Sequence, residues 1–224
     1  MIELPCVESI LQSCKETRDG FKAKKMYYLL CTNGFETQPT VGNYIVPMFS
    51  RNGCIFEATQ AFRKMGHHHQ NVYSWTSLIC GHIQFEQIHH VFPIYEKMQE
   101  YGVHPCSHTF VALLKTCTIL KDVKRGKRVH IESAQNGFRN DVFVNTALIH
   151  MYFNFFSPSE AQQVFNDMLI HDVVSWNALI TGYVELGHNE DALLCFDQMK
   201  LRGDCSPNVV TYVCILKACI SLKA

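Results

Sequence analysis

Along residues 173–200, VVSWNALITGYVELGHNEDALLCFDQMK, the apolar positions fall twice into a helical rhythm. Trp176, Leu179, Ile180 and Tyr183 stand at i, i+3, i+4 and i+7, which is one face of a helix. Gly187 interrupts the pattern. Asn189 is placed to cap a second helix, and Glu190 and Asp191 in its first turn suit the positive end of the helix dipole. Ala192, Leu193, Phe196 and Met199 give that helix its apolar face, Gly203 ends it, and Pro207 forbids its continuation. The stretch SPSE reads the same way: Ser157 as cap, Pro158 in the first turn and Glu160 closing a capping box. The pattern predicts short helical hairpins, each too small to bury its apolar face alone.

The hairpins recur. VVSWNALITGY (173–183) echoes VYSWTSLICGH (72–82), with Trp75 and Trp176 standing 101 positions apart. EKMQEYG and DQMKLRG repeat at the same offset. FEATQAFRKM (56–65) matches SEAQQVFNDM (159–168), and LQSC, LKTC and LKAC end at Cys14, Cys117 and Cys219. A super-period of about 100 residues, divided into three units of about 31 to 36, is the signature of a stacked helical array. The unit boundaries fall at 4–38, 39–71, 72–106, 107–141, 142–172 and 173–208, and residues 209–224 open a seventh unit. Stacked units bury a continuous core, so the expected fold is an all-α solenoid with one extended concave face.

Composition narrows the functional classes. The chain has 224 residues, 47% hydrophobic and 18% charged, with 20 basic against 20 acidic side chains. Zero net charge argues against strong non-specific nucleic-acid binding, which rests on phosphate neutralisation. No apolar run reaches membrane-spanning length, so no membrane partner is expected. Eleven cysteines without a CxxC pair argue against a disulfide framework or a structural zinc site. Cys14, Cys80, Cys117, Cys195, Cys214 and Cys219 lie in apolar helical runs and are expected to be small buried hydrophobes. The N-terminal MIELPCVESILQSCKETRDG has no targeting-peptide pattern, and VTYVCILKACISLKA stops inside an apolar helical run. Both ends read as the interior of a longer chain.

A two-helix unit of this length is similar to a tetratricopeptide repeat, which would make the chain a protein-binding scaffold. That family holds a small residue four places after the tryptophan, where Ile79 and Ile180 stand here. The cycle of three unit types fits another family. VVSWNALITGY…DALLCFDQMK, FVALLKTC…RGKRVH…NGFRNDVFV and NTALIHMY…SEAQQVFNDM closely resemble the P, L and S motifs of plant pentatricopeptide repeat proteins, PLS subclass. The order is then L (4–38), S (39–71), P (72–106), L (107–141), S (142–172), P (173–208) and a truncated L from 209.

The resemblance implies a right-handed solenoid in which each repeat faces one base of single-stranded RNA, read by two or three side chains. It implies no catalysis and no cofactor. The reading pair is the fifth and last residue of a motif: Glu8/Gln38, Asn43/Asn71, Thr76/Cys106, Val111/Asp141, Thr146/Asp172 and Asn177/Asn208. The family's pairing rules imply a target any–pyrimidine–purine–any–G–pyrimidine. Second residues are expected to sandwich bases: Tyr73, Phe143 and Val174, with Val210 beyond them, while Pro5, Thr40 and His108 suit the role less. The resemblance places such proteins in mitochondria or plastids, mostly specifying cytidines for C-to-U editing, with the deaminase carried by a further domain or a partner protein. A basic residue is common near the end of the family's first helices. Here Glu16, Gln84, Ile119, Asn154 and Glu185 stand there, and only Arg51 is basic. A non-functional truncated fragment is the remaining alternative.

Three other motifs carry less. GHHHQN (66–71) is a loop insertion whose adjacent histidines seldom converge on one ion. His130-Ile131-Glu132 matches half of a zinc deaminase site but lacks the downstream P-C-x-x-C that completes it. KDVKRGKRVH (121–130) is the densest basic stretch and reads as a solvated helix face. Trp75 and Trp176 lie on the apolar stripe and are expected in the core rather than as stacking platforms.

Overall fold

A computed structural model describes residues 19–34, 39–66 and 69–223. The described residues form twelve α-helices and no strand. They are α1 (Gly20–Thr32), α2 (Pro39–Arg51), α3 (Ile55–Lys64), α4 (Val72–Gln84), α5 (Val91–Glu100), α6 (Ser107–Leu120), α7 (Val123–Ser133), α8 (Val142–Asn154), α9 (Pro158–Asp167), α10 (Val173–Glu185), α11 (Asn189–Arg202) and α12 (Val209–Lys223). The chain divides into two compact halves at Ala112/Leu113.

In the first half, α2 packs on its hairpin partner α3 and on α4, and α4 in turn on α5. The core gathers Ile45, Met48, Phe49, Trp75, Ile79 and Met98. The Phe62 ring meets Trp75 edge-on at 4.5 Å. In the second half, α8 packs on α9 and α10, and α10 on α11 and α12. Leu148, Phe165, Trp176, Ile180 and Met199 fill that core, and Phe165 meets Trp176 edge-on at 4.6 Å. Within each half the same rule holds: the first helix of one hairpin lies against the first helix of the next. Residues at equal positions of successive first helices therefore occupy equivalent sites.

Several termini form as expected. Gly187 and Gly203 take φ of 79° and 68°, the left-handed conformation that glycine adopts without strain. Two caps do not. Asn189 lies inside the first turn of α11; His188 holds the cap position and makes no side-chain capping bond. Ser157 is the N-cap of α9, but its hydroxyl donates to the Phe155 carbonyl at 3.4 Å and no capping box closes. The cysteines divide as well. Cys117, Cys195 and Cys214 are buried, whereas Cys80 is exposed and Cys219 half-buried; Cys14 lies outside the described residues. Cys80 follows Ile79 on the far side of α4, one step off the apolar stripe, where adjacency in an apolar run does not confer burial. Burial pushes the Cys117 and Cys195 thiols up to about 12, so both stay protonated and unreactive.

A buried imidazole, His82, and a half-buried one, His130, make stability depend on pH. Burial, reinforced by the charge of His90, lowers the His82 pKa, and burial lowers that of His130 against the opposing pull of Asp167. The unfolded chain, with histidine near its ordinary value of about 6.5, then binds more protons than the folded one at low pH. The stabilisation is fully present above about pH 6.5 and is lost as the pH falls through the depressed folded values. Thermal melts are expected to move to lower temperature between pH 7.5 and pH 5. A His82→Gln, His130→Gln double variant should show a shallower pH slope over that range.

Candidate functional site

The described residues expected to read a base gather at the starts of the first helices, the fifth residues within them and the last residues just before them. Four of these helices, α4, α8, α10 and α12, open on a polar N-cap that is the last residue of the preceding motif. Asn71 Oδ1 accepts from the Ser74 amide at 3.1 Å, Asp141 Oδ1 from Val144 at 2.9 Å, and Asp172 Oδ1 from Ser175 at 2.8 Å. Asn208 Oδ1 accepts from the Thr211 amide at 3.1 Å. The terminal positions thus anchor the next helix, and each satisfies one of its otherwise unbonded N–H groups. A second polar role at the same residue is open only to atoms that this capping leaves over.

Two expected pairs are brought into contact. Asn177 Nδ2 donates to Asn208 Oδ1 at 3.1 Å. In the matching repeat of the first half, Thr76 Oγ1 lies 3.9 Å from Cys106 Sγ and 2.7 Å from Thr109 Oγ1. Thr76 is only 8% exposed, so what it offers outward is narrow. Burial raises the Cys106 thiol pKa, but hydrogen bonds from Thr109 and Thr76 and the His108 amide outweigh it and hold the thiol below its ordinary value. Thr146 and Asp172 do not join: Thr146 Oγ1 is buried with no partner, and Asp172 turns to Ser175. Asn43 is half-buried on α2. Glu8 and Gln38 lie outside the described residues, as does Pro5.

Beside these polar groups stand exposed apolar ones. Tyr73, Phe143, Val174 and Val210 occupy the second positions of their motifs and are 69%, 72%, 55% and 52% exposed. An apolar residue is thus left in solvent at one register, beside the positions expected to read bases. Trp75 and Trp176, by contrast, are buried.

The remaining motifs assemble no site among the described residues. His130 Nδ1 bonds the Tyr152 hydroxyl at 2.8 Å. The cavity it lines, about 510 Å³, has no cysteine in its wall. Among the described residues no group of three or more potential metal ligands assembles. Of the histidine tract, His67 and His68 lie outside the described residues, and His69 is exposed. In the basic stretch Lys124, Arg125, Lys127 and Arg128 face solvent, with Lys127 paired to Glu160 at 3.7 Å and Arg125 to Asp122 at 3.6 Å. No helix among the described residues is long and apolar enough to cross a membrane.

Sequence reasoning overlooked two features. Hydroxyl residues at the third position of a motif, Ser74, Thr109, Ser175 and Thr211, bond the positions expected to read bases or their caps. Their recurrence was visible in the chain, but their partners sit 30 or more residues away, or on their own cap. Gly81 and Gly182 mark close approaches: a Cβ on Gly182 would lie 2.1 Å from the Phe153 ring, and one on Gly81 2.6 Å from Ile55.

Helical hairpins packed first helix on first helix, with polar groups and exposed apolar groups at fixed register, define an α-solenoid repeat protein. Two family models match: the pentatricopeptide repeat domain over residues 68–118 and the PPR repeat family over 171–221. The chain belongs to the pentatricopeptide repeat family. Similar curated proteins include the pentatricopeptide repeat-containing proteins At2g33680 and At4g16470 of Arabidopsis thaliana, 31% and 28% identical over 95% and 94% of this chain. The chain spans 29% and 41% of their respective lengths. Other matching Arabidopsis relatives are named as mitochondrial or chloroplastic. Among solved structures, the maize pentatricopeptide repeat protein PPR10 matches with a TM-score of 0.80 at 17% identity, over 97% of this chain and 31% of that one. PPR10 in complex with an 18-nt psaJ RNA element matches with a TM-score of 0.79 at 16% identity, over 97% and 33%.

Proposed function

We propose that this chain binds single-stranded RNA sequence-selectively, one base per repeat, without chemistry of its own. The observation that carries the reading is the contact between Asn177 and Asn208, a fifth and a last residue joined at 3.1 Å beside exposed Val174 and Val210. In this reading the paired amides meet a base edge, and the second-position side chains of adjacent repeats hold the base between them. Tyr73 and Phe143 serve the same purpose in their repeats. Asn43 with Asn71, Thr76, and Thr146 with Asp172 complete the reading set, for a target of the form pyrimidine–purine–any–G–pyrimidine. The relatives' organellar names and the RNA complex of PPR10 support an organellar transcript as partner. Resemblance to the PLS subclass extends the proposal to recognition of sites for C-to-U editing, with any deaminase supplied by a partner protein.

Binding of the 224-residue chain to short synthetic RNAs tests this. An oligonucleotide carrying the target order is expected to bind more tightly than one in which pyrimidines and purines are exchanged. Asn177→Val should weaken the preferred RNA roughly two- to tenfold, the range of one net hydrogen bond. The same substitution should leave an RNA changed at that nucleotide almost unaffected. Equal affinity for matched and exchanged RNAs would defeat the proposal.

A further inference from the structure

Asn177 does not stand free at its site. Its two polar atoms are held by different partners: Nδ2 donates to Asn208 Oδ1 at 3.1 Å, and Oδ1 accepts from the Thr211 hydroxyl at 2.6 Å. The polarity of this cluster is set by backbone groups that cannot reverse. The Thr211 amide donates to Asn208 Oδ1 at 3.1 Å, so that atom must be the acceptor end of its carboxamide. The atom of Asn177 facing it must then be the donor, Nδ2. The Asn208 amide donates to Thr211 Oγ1 at 3.1 Å, which leaves the hydroxyl hydrogen to be given onward. Its nearest acceptor is Asn177 Oδ1; Asn208 Oδ1 lies farther off, at 3.2 Å. Both carboxamides are therefore locked in one orientation, and Asn177 keeps one Nδ2 hydrogen as its outward donor.

We infer that Thr211 is a specificity-determining positioning residue: it fixes the orientation of Asn177 and so fixes which hydrogen-bonding pattern the repeat at 173–208 presents. This deepens the RNA-binding proposal and rests on it. A freely turning carboxamide can present either its donor or its acceptor edge and so accommodates bases of opposite pattern. A locked one cannot, and an unpaired polar group facing the wrong base is costly.

The same arrangement occurs in one other repeat and is missing from a third. Thr109 Oγ1 accepts from the Cys106 amide at 3.2 Å and lies 2.7 Å from Thr76 Oγ1. Its place in the network matches that of Thr211, and Thr109 and Thr211 are both fully buried. Where serine holds the third position, the hydroxyl turns back on its own cap. Ser175 Oγ donates to the Asp172 carbonyl at 2.9 Å and accepts from the Asp172 amide at 3.1 Å. Thr146 Oγ1, the reading hydroxyl of the repeat before it, is left without a partner. The relay thus runs from cap to third-position threonine to reading residue, and serine breaks it.

The test measures the 224-residue chain against four single-stranded RNAs that differ only at the nucleotide facing residues 173–208. Thr211→Val should reduce the ratio between the best and worst base at that nucleotide roughly three- to tenfold, while preference at the nucleotide facing 142–172 stays as in the unaltered chain. Thr211→Ser should reduce the ratio likewise, because a serine hydroxyl at the third position turns back on its own cap. Because Thr211 also supports the start of α12, melts of each variant are recorded, and Thr109→Val supplies a second arm. It should flatten base preference only at the nucleotide facing 72–106. If Asn177→Val flattens the preference at its nucleotide and Thr211→Val leaves it intact, the inference about Thr211 is overturned and base reading stands. If Asn177→Val changes nothing there, base reading at this repeat falls and the inference with it.

Discussion

Trp176→Ala is expected to destabilise the half of the chain that contains it by about 3–5 kcal/mol, the usual range for deleting a buried aromatic. The indole is 1% exposed and packs edge-on against Phe165 at 4.6 Å. It also lies 5.9 Å from the His171 ring, while the Arg202 guanidinium sits 5.8 Å over its face. Its Nε1 is buried with no hydrogen-bond partner. The loss is therefore one of packing, with no polar contact to rescue it. Phe165 and Trp176 belong to successive hairpins, so the cavity opens where one repeat is fastened to the next. In a stacked array that junction carries the cooperativity. The melting temperature, followed by far-ultraviolet circular dichroism, should fall by roughly 6–20 °C for a chain of this size. A drop under about 2 °C, well short of that range, would show that the two hairpins are not coupled through this residue.

That result bears on what the chain could disclose before its structure was known. Helix existence was legible because each first helix repeats one stripe, Trp176, Leu179, Ile180 and Tyr183 in one case, and all four are buried. Periodicity reports burial directly. Caps were less legible. Asn189 and Ser157 have the right chemistry one residue from, or at, the helix start, but the final side-chain geometry follows tertiary packing that no local pattern encodes. The polar register was half legible. Asn177 and Asn208 could be named from a motif, but their lock through Thr211 depends on a contact 34 positions along the chain. The capping duty of Asn71, Asp141 and Asp172 was hidden for a different reason. A motif boundary placed after these residues separates them on paper from the helix they anchor.

Gly182→Leu should abolish stable folding of the same region or destabilise it by at least about 3 kcal/mol, the upper end for an overpacked core. Even a single Cβ at this position would stand 2.1 Å from Phe153 Cδ2 and 2.3 Å from Cγ. Cγ is the root of the ring, and Phe153 is itself buried and stacked edge-on against Tyr183 at 5.1 Å. The ring has no free end to swing aside. The smaller change Gly182→Ala sets two effects against each other. Alanine favours a helix over glycine by about 1 kcal/mol. The clash costs roughly 1–3 kcal/mol, so the net is expected to be destabilising. A double variant, Gly182→Ala with Phe153→Leu, separates these terms, since a leucine leaves room for the added methyl. It should melt above Gly182→Ala alone if close helix approach is what requires the glycine. If the single alanine variant melts at or above the unaltered chain, the approach of α10 to α8 is looser than the geometry states. Gly182 would then have no packing role in setting the spacing of successive first helices, and with it the spacing of the residues proposed to read bases.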